Sequence, residues 1–162
     1  MSMINKKILF DFSSGKQVVI NGIILDYSEK LLKDIVINED IYVITCPGSY
    51  TGIRKSISMV HAIKIYKPEI NIYGINLLRD FATLFTDQDV FFEEKHITYY
   101  LNRKTNDIIL LNVFNAKNIK DAIGNIENQN GKIIDFSTSN IFSNIDLIEK
   151  KPIKLEYYDK FA

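Results

Sequence analysis

The chain of 162 residues carries 20 basic and 20 acidic side chains, is 46% hydrophobic and 25% charged. That globular composition, at the size of one compact domain, excludes wholesale disorder and a general polyanion-coating role. The single Cys46 excludes an internal disulfide framework and a Cys-based zinc site, and no apolar run reaches the ~18 residues of a membrane-spanning helix.

Residues 1–7 hold two lysines and no uninterrupted apolar stretch before Asp11. This is unlike a signal peptide, so the expectation is a cytoplasmic protein with no membrane partner.

Residues 7–12 predict a strand running into the turn cluster Asp11-Phe12-Ser13-Ser14-Gly15, and residues 17–20 a second strand. Asn21-Gly22 then separates it from a third at 23–27, the strongest short-range hairpin signal. Ser28 caps a short helical turn through 33. Residues 41–45 form a buried-type strand closed by Cys46-Pro47-Gly48, and the period turns helical from 51 to 67. Pro68 ends that helix, 70–75 is a strand, and Asn76 caps a helix through about 85. Strand, helix, strand, helix over 41–85 implies a parallel crossover and an α/β fold with a mixed sheet.

Residues 86–89 form a polar loop, which predicts an N-terminal lobe over 1–85 and a second over 86–162. In the second, 96–101 and 107–114 read as a hairpin around 102–106. A helix follows at 116–128, then a strand at 133–136. Residues 137–151 have no clear pattern, and 152–158 read as extended.

Chemistry concentrates in Cys46-Pro47-Gly48-Ser49-Tyr50-Thr51-Gly52, which joins a strand to a helix. Gly48 and Gly52 permit positive φ or close approach, and Ser49 and Thr51 can cap. A glycine-rich turn at a helix start can hold an anion on its backbone N–H groups, so Gly48, Ser49, Thr51 and Gly52 are candidate contacts for phosphate or nucleotide. A purely structural tight turn satisfies the same pattern. It is not a Walker loop, because Ile53-Arg54 stand between Gly52 and Lys55-Ser56.

At 100° per residue, Ile53, Ile57, Met59, Val60, Ile63 and Tyr66 cover about half the following helix, with Arg54, Lys55, Ser58 and His61 on the polar arc. So wide an apolar arc fits either a crossover helix wrapped by its own domain or one that turns an edge toward a partner. Ser49 and His61 stand three helical turns apart, roughly 18 Å, too far for a nucleophile–base pair. Neither a Gly-x-Ser-x-Gly elbow nor metal-ligand spacing is present.

The run Ile44-Thr45-Cys46-Pro47-Gly48-Ser49-Tyr50-Thr51-Gly52-Ile53-Arg54 resembles the Gly-Pro-Gly-Ser-Phe-Thr-Gly-Leu-Arg signature of the TsaB (YeaZ-like) family. Ile8-Leu9-Phe10-Asp11-Phe12-Ser13-Ser14 resembles that family's first strand, which ends in Asp-Thr-Ser. Residues 70–78 resemble its next strand and helix start. The likeness is good over 41–82, fair over 7–27 and poor beyond. It implies an actin-like, ribonuclease-H-like fold, here with a reduced second lobe. It also implies a non-catalytic scaffold that supports TsaD, assisted by TsaE, in threonylcarbamoylation of tRNA adenosine 37.

The resemblance places the partner interface, with TsaD or a second copy, on Ile53, Arg54, Ile57, Val60 and His61. It implies no cofactor of the chain's own, adenine nucleotide at most at a partner interface, and only indirect contact with tRNA. Cys46 replaces the signature's first glycine, Lys55-Ser56 replace an apolar residue and glycine, and 28–40 leave room for two or three turns of the family's first long helix. Two alternatives remain open at this stage: a homodimeric relic without a role in tRNA modification, and a sugar-kinase-like ATPase. In sugar kinases a carboxylate like Asp11 coordinates metal, but residues 86–162 contain only Gly124 and Gly131 toward a second phosphate loop. Asp11 better suits capping the Ser13-Ser14-Gly15 turn.

Overall fold

A computed structural model describes residues 7–30, 39–94, 97–123 and 134–154. β1 (Ile8–Asp11), β2 (Gln17–Ile20) and β3 (Ile23–Asp26) make an antiparallel meander. On the other side of β1, β4 (Ile41–Cys46) and then β5 (Ile72–Asn76) run parallel to it, giving the order β3-β2-β1-β4-β5. Helix α1 (Tyr50–Tyr66) is the crossover between β4 and β5. The expected mixed sheet with parallel crossover strands is therefore present. Asn21 and Gly22 both have positive φ, 52° and 76°, the geometry that joins right-twisted antiparallel strands in two residues.

Every residue of β1 and β4 is buried because both faces of the sheet are covered. Alternate residues divide between the faces. Ile8, Phe10, Val18, Ile41 and Val43 pack in one core with Val60, Ile57 and Ile63 of α1. Leu9, Val19, Tyr42, Ile44 and Ile75 belong to a second core on the opposite face. That second core continues into a three-stranded antiparallel sheet of β6 (Val90–Glu94), β7 (Ile97–Asn102) and β8 (Asp107–Leu111), through Val90, Phe92, Leu101 and Ile108. It runs across position 85, so the two stretches of sequence meet in shared packing. Helix α2 (Val113–Ile123) sets Ala116 and Ile119 against Tyr100 and Leu111.

Several boundaries differ from expectation, each for a local reason. Asn76 does cap, its Oδ1 accepting from the Leu78 and Arg79 N–H groups at 3.0 Å, but no regular helix follows. A π turn over Leu77–Phe81 leads into a 3-10 turn over Ala82–Leu84. Thr83 Oγ1 donates to the Arg79 carbonyl at 2.7 Å, competing for the acceptor a continuing α-helix would use. The strand expected to reach 114 stops at Leu111 because Asn112 Oδ1 accepts from Asn115 N–H at 2.8 Å and starts α2 at 113, earlier than the expected 116.

Residues 134–136 are not a strand. Phe136 instead lays its ring against Phe92 and Phe81, 4.9 and 5.8 Å between centroids. Helix α3 (Thr138–Ser143), capped by Ser137, lies in the stretch without a clear sequence pattern. Residues 151–154 lie beside β5, where Gly74 N–H donates to Lys151 O at 2.9 Å. The helical turn expected through 33, the end of the helix expected to 128, His96, Gly124, Gly131 and residues 155–158 lie wholly or partly outside the described residues. Among the described residues no helix is long and apolar enough to cross a membrane.

Candidate functional site

The strand-to-helix loop after β4 packs directly on the exit of β1. Ser49 N–H donates to Ser13 O at 2.6 Å, and Ser49 Oγ accepts from Gly52 N–H at 3.2 Å as the cap of α1. Gly48 has φ +149°, and a Cβ there would stand 2.7 Å from Ser13 Cα, Cβ and O. A Cβ on Gly52 would stand 2.6 Å from Phe12 O. Both glycines are thus accounted for by close approach of two backbones. The amides of Ser49 and Gly52, two of those an anion would need, are occupied by these internal bonds, while Thr51 is exposed at the helix start.

Beside this junction lies Asp11, 3% exposed. Its Oδ1 accepts from Ser13 N–H at 3.1 Å and Ser13 Oγ at 2.5 Å, the turn-capping role expected for it. Its Oδ2 accepts from Thr138 Oγ1 at 2.7 Å, at the start of α3. Thr138 Oγ1 also sits 2.5 Å from the Gln17 side-chain amide. A hydroxyl has one proton to donate, so this triad is best satisfied with the Gln17 amide nitrogen donating to Thr138 Oγ1. Both carboxylate oxygens of Asp11 are therefore engaged by the fold. Thr138 stands 127 positions away in sequence, which is why local pattern reading misses it.

Cys46 is buried and accepts from Asn76 Nδ2 at 3.1 Å, a contact between the ends of the parallel strands β4 and β5. Among the described residues no group of three or more His, Cys, Asp or Glu is placed to hold a metal ion. Ser49 and His61 lie at opposite parts of α1 and are not brought together.

The five residues expected at a partner face divide. Ile53 (4% exposed) and Val60 (0%) are closed into the chain's own structure, and Ile57 is half-buried on the α1 core. Arg54 and His61 are exposed. Arg54 Nη1 donates to Tyr50 Oη at 2.9 Å and its guanidinium lies 4.9 Å from that ring's centroid, so the two form one amphipathic platform. Farther along the same outward face are Ser58, Ala62, Ile65 (78% exposed) and Tyr66 (88%). Ser56, in place of the signature's small residue, is fully buried with its hydroxyl on Ile53 O.

Comparison with protein-family models gives no match, and comparisons with curated proteins and with solved structures give none of significance.

Proposed function

We propose that the chain is a TsaB-like, non-catalytic scaffold subunit that supports TsaD in threonylcarbamoylation of tRNA adenosine 37. The reading rests first on the resemblance over residues 41–54 and 7–14. The observation that carries it furthest is the outward face of α1, immediately after that signature. Tyr50, Arg54, His61, Ile65 and Tyr66 present a mixed cationic and apolar strip on a rigid helix, a composition suited to protein docking. The order β3-β2-β1-β4-β5, an antiparallel meander joined to a parallel crossover, supports the ribonuclease-H-like, actin-like class for the fold. The internal engagement of Asp11 argues against the kinase-like alternative, in which that carboxylate would face a metal.

The experiment is reconstitution with TsaD, TsaE, threonylcarbamoyl adenylate and tRNA. Omitting the chain is expected to abolish or strongly reduce the modified adenosine. Arg54→Ala and Ile65→Asp are expected to impair the reaction while the chain stays folded. Full modification without the chain, with dimers that Ile65→Asp dissolves, would leave the homodimeric relic as the surviving reading.

A further inference from the structure

Strand β5 is an outer strand of the five-stranded sheet, paired with β4 on one side only. Its sequence makes that position hazardous. Residues 70–76, Ile-Asn-Ile-Tyr-Gly-Ile-Asn, carry no charge and no proline and are rich in β-branched and aromatic side chains. An uncovered edge of that composition is a template for pairing with another chain.

The edge is covered from the far end of the sequence. Gly74 N–H donates away from β4 to Lys151 O at 2.9 Å, and two residues on, Asn76 N–H donates to Asp80 Oδ2 at 2.8 Å. Asp80 Oδ1 in turn holds Lys151 Nζ at 2.8 Å, so one lysine supports the cover twice, with its carbonyl and with its ammonium. Lys150 lies over the Tyr73 ring, 5.5 Å from the centroid, and Ile153 packs half-buried on the α1 core. The fit is close, since a Cβ on Gly74 would stand 3.0 Å from Ile153 Cα and 2.9 Å from Thr45 Cγ2. Yet the cover is not a sixth strand. Among the described residues one backbone hydrogen bond joins it to β5, and Pro152 has no N–H with which to extend the ladder. Lys150, Lys151 and Pro152 are also the residue types by which sheet edges repel a partner.

We propose that residues 150–154 are a guard on the β5 edge, latched by Lys151 to Asp80, and that a second copy of this chain pairs along that edge when the latch is broken. Antiparallel pairing of two β5 strands about a two-fold axis sets the two Gly74 residues opposite each other. The amide now held by Lys151 O then finds a carbonyl across the axis, with no side chain between. None of these residues belongs to the loop at 46–52 or to α1, so this inference stands apart from the scaffold reading.

The test compares the full chain with Lys151→Glu, a change on an exposed side chain that sets a carboxylate against Asp80 and Glu149. In dilute Lys151→Glu protein, amide hydrogen exchange followed by NMR is expected to quicken about tenfold at Gly74. Ile41 N–H, bonded to Asn71 O between β4 and β5, should keep its rate and so report an intact sheet. As concentration rises from micromolar to millimolar, light scattering is expected to give a mass climbing to about twice the parent's, with Gly74 exchange slowing again in step. Lys154→Glu is the control: it makes the same charge change on a lysine without an ion pair among the described residues, and should behave as the parent. The proposal is overturned by parental Gly74 exchange in dilute Lys151→Glu, by a mass equal to the parent's at every concentration, by association that leaves Gly74 exchange fast, or by a Lys154→Glu protein that matches Lys151→Glu.

Discussion

Replacing Gly52 by alanine tests the junction between β1 and α1. In an ordinary helix interior that change stabilises by about 0.5–1 kcal/mol, because glycine has more backbone freedom to lose. Here the added carbon would lie 2.6 Å from Phe12 O and 3.2 Å from Ser49 Oγ, where ordinary contacts begin at 3.4 Å. About 0.8 Å must therefore be recovered by moving either the end of β1 or the first turn of α1. Neither side can yield freely. Phe12 is fully buried, and Ser49 is tied to Ser13 O by a 2.6 Å bond. Overpacking of this kind costs about 1–3 kcal/mol, and at the middle of both ranges it outweighs the helical gain and leaves a net loss of about 1–2 kcal/mol. For a chain of this size that is a fall in Tm of roughly 2–8 °C. Circular-dichroism melts of Gly52→Ala, set beside Ser58→Ala on the exposed face of the same helix, measure it. Ser58→Ala should leave Tm unchanged or slightly raised. A Gly52→Ala protein as stable as the parent would refute the close-approach reasoning.

Val60→Asp places a charge in a fully buried position under α1 and should cost several kcal/mol, about 3 or more, whereas Ile65→Asp at 78% exposure should leave Tm within about 1 °C. Thermal melts read together with light scattering separate the two, and a stable Val60→Asp protein would contradict the placement of that side chain. Asp11→Asn keeps the shape but replaces an acceptor facing Ser13 or Thr138 with a donor, and a loss of about 1–3 kcal/mol in chemical denaturation is expected. At alkaline pH, burial holds the pKa of Tyr42, Tyr99 and Tyr100 above the ordinary value, and for Tyr100 the hydrogen bond to Asp89 adds to it. The unfolded chain then loses these protons first, so stability present below about pH 10 should fall as pH rises past it. Tm measured across that range, with phenolate absorbance followed in parallel, should show the decline and Tyr100 titrating late. An unchanged Tm up to pH ~11 would count against the assignment.

The first half of the chain was legible because its signals are local. Asn21-Gly22 set the hairpin, Pro68 ended α1, and Asn76 marked the strand end, each acting within a few residues of itself. The second half was less so. β6 pairs with β7 through Val90–Glu94, a stretch too short and too mixed to be separated from loop by period alone. α3 has six residues, below what helical periodicity can register, and takes its position from the Ser137 cap and the burial of Ile141.

In the candidate site, the glycines at 48 and 52 were visible as special, but their reason was not. Their neighbours are Ser13 and Phe12, some 35–40 positions earlier. Likewise the amphipathic arc of α1 identified Ile53 and Val60 as apolar without saying that the chain's own structure, and not another molecule, covers them.

The tie between Asp11 and Thr138 has a consequence for how the protein is made. β1, the middle strand of the five-stranded sheet, leaves the ribosome before the other four strands of that sheet, which follow by residue 76. The five-stranded sheet can therefore assemble early, yet one oxygen of its buried carboxylate has no hydroxyl until residue 138 has been synthesised. An unsatisfied buried polar group is costly, so the incomplete chain has reason to keep that corner open to water. Arrival of Thr138 closes it, so a residue made 127 positions after Asp11 supplies the hydroxyl that seals the end of β1.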